Sequence, residues 1–273
     1  MIKQLIDIQL ENYFDTWSLY PIGDLHKGHV GHDKFKLRKV VKEIEDNPNA
    51  RWIGMGDYGE YIDWLDKRFD PDTVDKDMRV FEFKDIAQAL NQRIIKDLEP
   101  IKDKCIGLLR GNHEKVYTDR KSFDPANDLA ERFNVKYLGY ESMTRISVKG
   151  PDGKRRYSLV VFAHHGFGGG KKPGSHANNM LDMVTGYEAD LYILNHNHRI
   201  ITMKSVRQHL NSSGNLVNKV QAFINGGSFL NMKQDGIEGY EVKKGLLPLP
   251  VGCPHVNISC DWKHSTANME LVA

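Results

Sequence analysis

Five short apolar runs in this chain stop at the same kinds of side chain. Trp17-Ser-Leu-Tyr-Pro-Ile22 leads into Asp24 and His26, and Trp52-Ile-Gly-Met55 leads into Gly56-Asp57. Cys105-Ile-Gly-Leu-Leu109 leads into Asn112 and His113, Leu159-Val-Val-Phe-Ala163 into His164-His165, and Leu191-Tyr-Ile-Leu194 into His196 and His198. Apolar runs of this length, bounded by turn residues, read as buried strands. Ligands of open α/β sheets bind outside the carboxyl ends of the strands. If these strands share one sheet layer or two facing layers, all five clusters converge on one rim. A convergence of Asp, Asn and His without Cys is the donor set for divalent ions such as Mn²⁺, Fe²⁺ or Zn²⁺. Twelve histidines against three cysteines fit that chemistry better than a disulfide framework or a thiolate zinc site.

The intervals between the runs read as helices. Leu37, Val40, Val41 and Ile44 fall on one helical face between Asp33 and Asn47, with Pro48 closing the segment. Ile86, Leu90, Ile94 and Leu98 repeat at helical spacing before Pro100, and Asp124-Pro125 reads as an N-cap and first turn. After Tyr137 the pattern becomes strand-rich, with hairpins around Gly150-Pro-Asp-Gly153 and Asn211-Ser-Ser-Gly214 and a helix around 178–184. Residues 58–85 are acidic and aromatic and read as an insertion. A single domain over 1–273 is expected, with a core at about 17–230 and a C-terminal elaboration at about 231–273. The 38 Lys and Arg against 36 Asp and Glu give a net charge of +2, which argues against a basic coat for duplex nucleic acid but allows local basic patches. No apolar run reaches the ~20 residues of a bilayer span, and the opening MIKQLIDIQLENYFD is polar where a signal peptide is apolar. A cytoplasmic chain with no membrane partner is therefore expected.

Each polar cluster is weak by itself, since Gly-Asp and Asp-x-His are ordinary turn sequences. His-x-His is more specific, because alternate strand residues face one side. The ordered set carries the information. Asp24-Leu-His26, Gly56-Asp57, Gly111-Asn-His-Glu114, His164-His165-Gly166 and His196-Asn-His198 together resemble the calcineurin-like metallophosphoesterases, over about three quarters of the chain from about Gly23 to about Gly227. One departure is Asn195, where the family usually has Gly before the last His-x-His; only a local backbone difference is expected from it.

The resemblance implies a four-layer α/β/β/α sandwich with a dinuclear metal site at the C-terminal ends of the strands. It implies two divalent ions, manganese first, with iron, zinc or nickel as alternatives. Asp57 would bridge them; Asp24, His26 and His198 would hold one, and Asn112, His164 and His196 the other. His164 is placed as a ligand by its match to the first His of the family motif, with His165 as the alternative. Two carboxylates against two dications leave positive charge for a bridging hydroxide and a phosphate ester. His113 would act as general acid or steady the transition state. His29, Tyr58, Lys171, Lys172 and Arg199 are candidate substrate contacts, through rim charge or base stacking. The expected activity is hydrolysis of phosphodiesters, in nucleotides or single-stranded nucleic acid. The alternatives are a phosphomonoesterase acting on a phosphoprotein or small metabolite, and a non-catalytic scaffold on the same fold.

Overall fold

A computed structural model describes residues 1–12, 15–168, 170, 172–233, 235–236, 240–243, 245–261 and 266–273. The strands are β1 (Ile2–Gln9), β2 (Trp17–Ile22), β3 (Ala50–Gly54), β4 (Cys105–Leu109), β5 (Tyr137–Gly139), β6 (Glu141–Lys149), β7 (Arg155–His164), β8 (Leu191–Leu194), β9 (Ile200–Leu210), β10 (Leu216–Gly226), β11 (His255–Asp261) and β12 (Thr266–Val272). The helices are α1 (Lys34–Asp46), α2 (Ile86–Leu98), α3 (Asn112–Lys121), α4 (Pro125–Phe133) and α5 (Pro173–Gly186), with a further helical turn at Tyr240–Lys243. Among the described residues, no helix is long and apolar enough to cross a membrane.

Two six-stranded sheets form, in the orders β1-β6-β7-β8-β10-β9 and β12-β11-β2-β3-β4-β5. All six residues of β2 and all four of β8 are buried. Such unbroken burial requires cover on both faces of a sheet. Three apolar layers supply it. Trp17, Leu19, Ile53 and Met55 of one sheet meet Leu159, Val161, Leu191 and Ile224 of the other in the central core. Ile22 and Trp52, on the opposite face of their sheet, pack against Leu37 and Ile44 of α1, Leu90 of α2 and Leu129 of α4. Phe162, Tyr192 and Phe223, on the outer face of the second sheet, pack against Met180 and Met183 of α5. The layer order is α/β/β/α.

Strands β2, β3 and β4 run parallel, as do β7, β8 and β10. Their C-terminal ends carry the polar clusters. The N-cap expected at Asp124 has the expected form, and Asp33 and Asp85 act likewise: the three side chains accept from backbone amides in the first turns of α4, α1 and α2. Helix α3 has no apolar stripe to announce it. It starts directly on Asn112, and the Glu114 carboxylate accepts from the Gly111 amide at its N-terminus at 2.9 Å. In the tail, β11 pairs with β2 and extends that sheet. Residues 58–85 contain two 3-10 turns, Pro71–Thr73 and Val80–Asp85, and no strand. Asp63 and Asp66 anchor this insertion by ion pairs to Arg120 and Lys121 of α3.

Candidate metal centre

The ends of the strands turn sharply. Asp24, His26, Asp57, His196 and His198 have φ of 47°, 48°, 51°, 74° and 59°. Five of the eight non-glycine residues with positive φ among the described residues thus lie at one rim. Each such residue costs about 1–3 kcal/mol and persists only where its surroundings over-determine it. The surroundings here are specific. The Asp24 amide donates to the Gly56 carbonyl at 2.9 Å and the His26 amide to the Asp57 carbonyl at 3.1 Å, locking the β2 and β3 loops together. Buried Glu114 accepts from the amides of Asp57, Tyr58 and Gly111 at 3.0, 2.7 and 2.9 Å. Gly111 leaves no room for a side chain, since a Cβ there would lie 2.2 Å from Asp57 Oδ1.

Three donor clusters result among the described residues, one of which, His26 with Glu60 and His113, shares His26 with its neighbour. Ligand atoms of Asp24, His26 and His198 lie within 4.8 Å of one another, as do those of Asp57, His165 and His196. In the first, His26 Nε2 and His198 Nε2 are 3.1 Å apart. Asp24 Oδ1 lies 3.9 Å and 3.6 Å from those two nitrogens. That oxygen is buried and has no hydrogen-bond partner, a costly condition for a carboxylate. His26 Nδ1 faces Glu60 Oε2 at 2.9 Å, so its proton belongs there and the Nε2 lone pair points into the cluster. At a usual metal–nitrogen distance of about 2.0–2.1 Å, both Nε2 atoms can reach one ion.

In the second cluster His165 Nδ1 donates to the Met55 carbonyl at 2.6 Å. Its Nε2 lies 3.1 Å from Asn112 Oδ1 and 3.3 Å from Asp57 Oδ2. Three acceptors so close need a cation or a proton between them. Both donor sets therefore fit a divalent ion: Asp24, His26 and His198 would hold an ion at the first, and Asp57, Asn112, His165 and His196 at the second.

Without metal, protons fill that need. Burial disfavours a charged His165, but the Asp57 carboxylate and its hydrogen bond, with Asp24 behind, lift its pKa to about 10. Burial likewise opposes charge on His26, and the hydrogen bond and charge of Glu60, with Asp57 and Asp24, raise it to about 9. Burial, with the charge of His165, drops His196 to about 4. Both raised histidines stabilise the metal-free fold fully below the unfolded value of ~6.5. That contribution is lost as pH rises through about 9 to 10. Metal must displace these protons, so affinity is expected to rise with pH up to about 9, by roughly tenfold per pH unit for each displaced proton. Calorimetric Mn²⁺ titrations at pH 6.5 and 8.5, in buffers of different ionisation enthalpy, read both the affinity and the proton release. Equal affinities at the two pH values contradict it.

The structure revises several sequence expectations. His164 does not join the cluster. Its Nδ1 accepts from the Gly166 amide at 2.8 Å and its ring packs edge-on against Phe167, while His165, fully buried, takes the inward place. Tyr58 is no stacking platform: it is fully buried and its hydroxyl donates to the Leu109 carbonyl at 2.9 Å. Lys172 is exposed ahead of α5 and lies outside the cavity at the metal cluster, and Lys171 falls outside the described residues. His29 and Arg199 do line that cavity. The His113 amide donates to Asp57 Oδ1 at 2.9 Å, and its Nδ1 donates to the Glu60 carbonyl at 2.8 Å, which leaves Nε2 for chemistry. Asn195 does more than alter the backbone. Its Nδ2 donates to Asp24 Oδ2 at 3.0 Å, fixing that carboxylate so that Oδ1 is the free oxygen.

Glu60 is the participant that sequence reading missed. It lies three residues beyond Asp57, between His26 and His113, inside a stretch whose other acids are surface or structural. Removing its charge by Glu60→Gln is expected to weaken metal binding about 10–100-fold, the usual cost of losing a carboxylate behind a ligating histidine. Competition with a metal-sensitive dye measures this, and unchanged affinity contradicts it.

No family model matches the chain, and no curated protein matches it. Among solved structures it is similar to Vps29 of Chaetomium thermophilum, at 12% identity over 93% of this chain and 94% of that chain, with a TM-score of 0.38. It is also similar to an uncharacterized protein of Streptococcus pneumoniae TIGR4 described as a predicted phosphoesterase, at 10% identity over 94% and 98% of the two chains, with a TM-score of 0.35.

Proposed function

We propose that this chain is a hydrolase of phosphoric esters that works with two divalent ions, and that phosphodiesters are its substrates. The observation that carries this reading is the buried, unpartnered Asp24 Oδ1 facing two histidine nitrogens, beside a second cluster of Asp57, His165 and His196. When bound, two such ions acidify water and clamp the oxygens of an in-line displacement. The chain supplies the rest. Asp24 and Asp57 bring only two negative charges to the ligand set, because Asn112 is neutral, so an anionic ester is attracted to the loaded site. His113 Nε2 holds a proton for the departing oxygen, with the ring oriented by the Glu60 carbonyl. Glu60 and Asn195 fix the orientation of His26 and Asp24.

The diester preference rests on charge. Arg68 and Lys243, on the cavity wall, are engaged by Asp66 and Asp70. That engagement takes up part of the wall's positive charge, which a dianionic monoester needs more than a monoanionic diester does. A scaffold role is disfavoured because the strained backbone and the complete donor set serve no packing purpose. Manganese-loaded protein is expected to cleave bis-p-nitrophenyl phosphate faster than p-nitrophenyl phosphate. Faster monoester cleavage overturns the diester assignment, and no cleavage of either overturns the enzyme reading.

A further inference from the structure

The metal cluster opens into a cavity of about 1210 Å³. Small-molecule sites span roughly 300–1,000 Å³, so a phosphoryl group alone occupies a minor part of this one. His26, Asp57, Asn112, His196 and His198 form the polar wall. Elsewhere aliphatic side chains share the lining with charged ones: Val74 and Met78 from the insertion, Leu90 from α2, and Leu230, Met232 and Leu246 from the segment after β10, beside Lys67 and Arg68. Leu90 and Leu230 are buried, the others half-buried. An ion pair between Lys243 and Asp70, 2.8 Å long, joins the two sides, and both residues also line the cavity. Apolar surface thus continues directly from an anion-attracting centre.

We propose that this cavity holds the apolar arm of an amphipathic phosphodiester, an alkyl or acyl chain whose ester phosphate sits at the metal cluster. The proposal rests on the phosphoester reading of the site. The aliphatic side chains give contact area but no donor or acceptor to read a nucleobase edge, and among the polar groups Arg68 and Asp70 are held in ion pairs with Asp66 and Lys243. The aromatic rings on the wall, Phe69 and Phe83, meet edge to face at 5.9 Å, and Phe83 also stacks at 6.0 Å on Trp64, which lies outside this cavity. They do not form an open base platform. Arg199, which also lines the cavity, follows the ligand His198 and adds positive charge for the phosphate.

A series of alkyl p-nitrophenyl phosphates (methyl, butyl, octyl and dodecyl), kept below aggregation with Mn²⁺ present, tests this. In each, a water oxygen bonds to phosphorus as the bond to the p-nitrophenyl oxygen breaks. The water's proton balances the released p-nitrophenol, and an alkyl phosphate remains. Each buried methylene contributes about 0.8 kcal/mol, or about fourfold, so kcat/KM is expected to climb with chain length by up to that factor per carbon until the cavity is filled. Met78→Gln and Met232→Gln, from the insertion and from the segment after β10, are each expected to lower the dodecyl-to-methyl ratio. A methyl ester cleaved as well as the dodecyl ester overturns the proposal and leaves the phosphoesterase reading intact. If no ester is cleaved, that reading fails. Binding of dodecyl phosphate and methyl phosphate to the metal-loaded protein then decides the proposal, and equal affinities overturn it.

Discussion

Replacing Asp57 by Asn is expected to lower diester turnover by about 1,000-fold or more, the scale of losing a preorganised charge at a reacting centre. Asp57 is 1% exposed, with one carboxylate oxygen accepting from the His113 amide and the other facing His165. An amide of the same shape keeps the packing and the first contact. It removes one of the two negative charges that hold divalent ions, and it presents either a neutral oxygen or an NH₂ group to His165. Burial opposes ionisation of Asp57, yet the charges of His165 and His113 hold its pKa well below the usual carboxylate range, so the charge being removed is real. The variant should fold, bind less metal and turn over poorly. Activity within tenfold of the parent, at saturating Mn²⁺, contradicts the assignment of Asp57 to the metal cluster.

The second large effect is at His113, and it has a different signature. His113→Ala should retain its metals, because the His113 contact to Asp57 is made by the backbone amide, which alanine keeps. Turnover should fall by about 10²–10⁴, the usual contribution of a positioned general acid. The loss should depend on the leaving group. A p-nitrophenolate departs without protonation, whereas an alkoxide needs a proton. The His113→Ala deficit is therefore expected to be larger for dialkyl esters than for p-nitrophenyl esters. Equal deficits for both contradict the acid role, since a ring that only packs would affect both alike.

Much of this site was legible in the sequence because the residues stand at strand ends, and parallel strands deliver their ends to one rim. Parity explains why the choice between His164 and His165 was not. On β7, Leu159, Val161 and Ala163 face the central core, whereas Val160 and Phe162 face α5. His165 continues the inward set and His164 the outward one. Both sets are apolar because both sheet faces are covered, so no alternation in Leu159-Val-Val-Phe-Ala163 marked the inward side. Tyr58 misled for a related reason: an aromatic beside a ligand can cover a substrate or fill the core, and here Gly54 leaves the space its hydroxyl enters. Helix α3 was invisible because Asn112 to Lys121 carries no apolar face. It forms from the Glu114 contacts to neighbouring loops, which are tertiary. Glu60 and Asn195 likewise act through partners 34 and 171 positions away, His26 and Asp24.

The central claim is that two clusters of acceptors on one rim each hold a divalent ion. Anomalous diffraction from a crystal of the Mn²⁺-loaded protein tests it directly. Two peaks per chain are expected, one among Asp24, His26 and His198 and one among Asp57, Asn112, His165 and His196. A single peak, peaks elsewhere, or none at these side chains contradicts it.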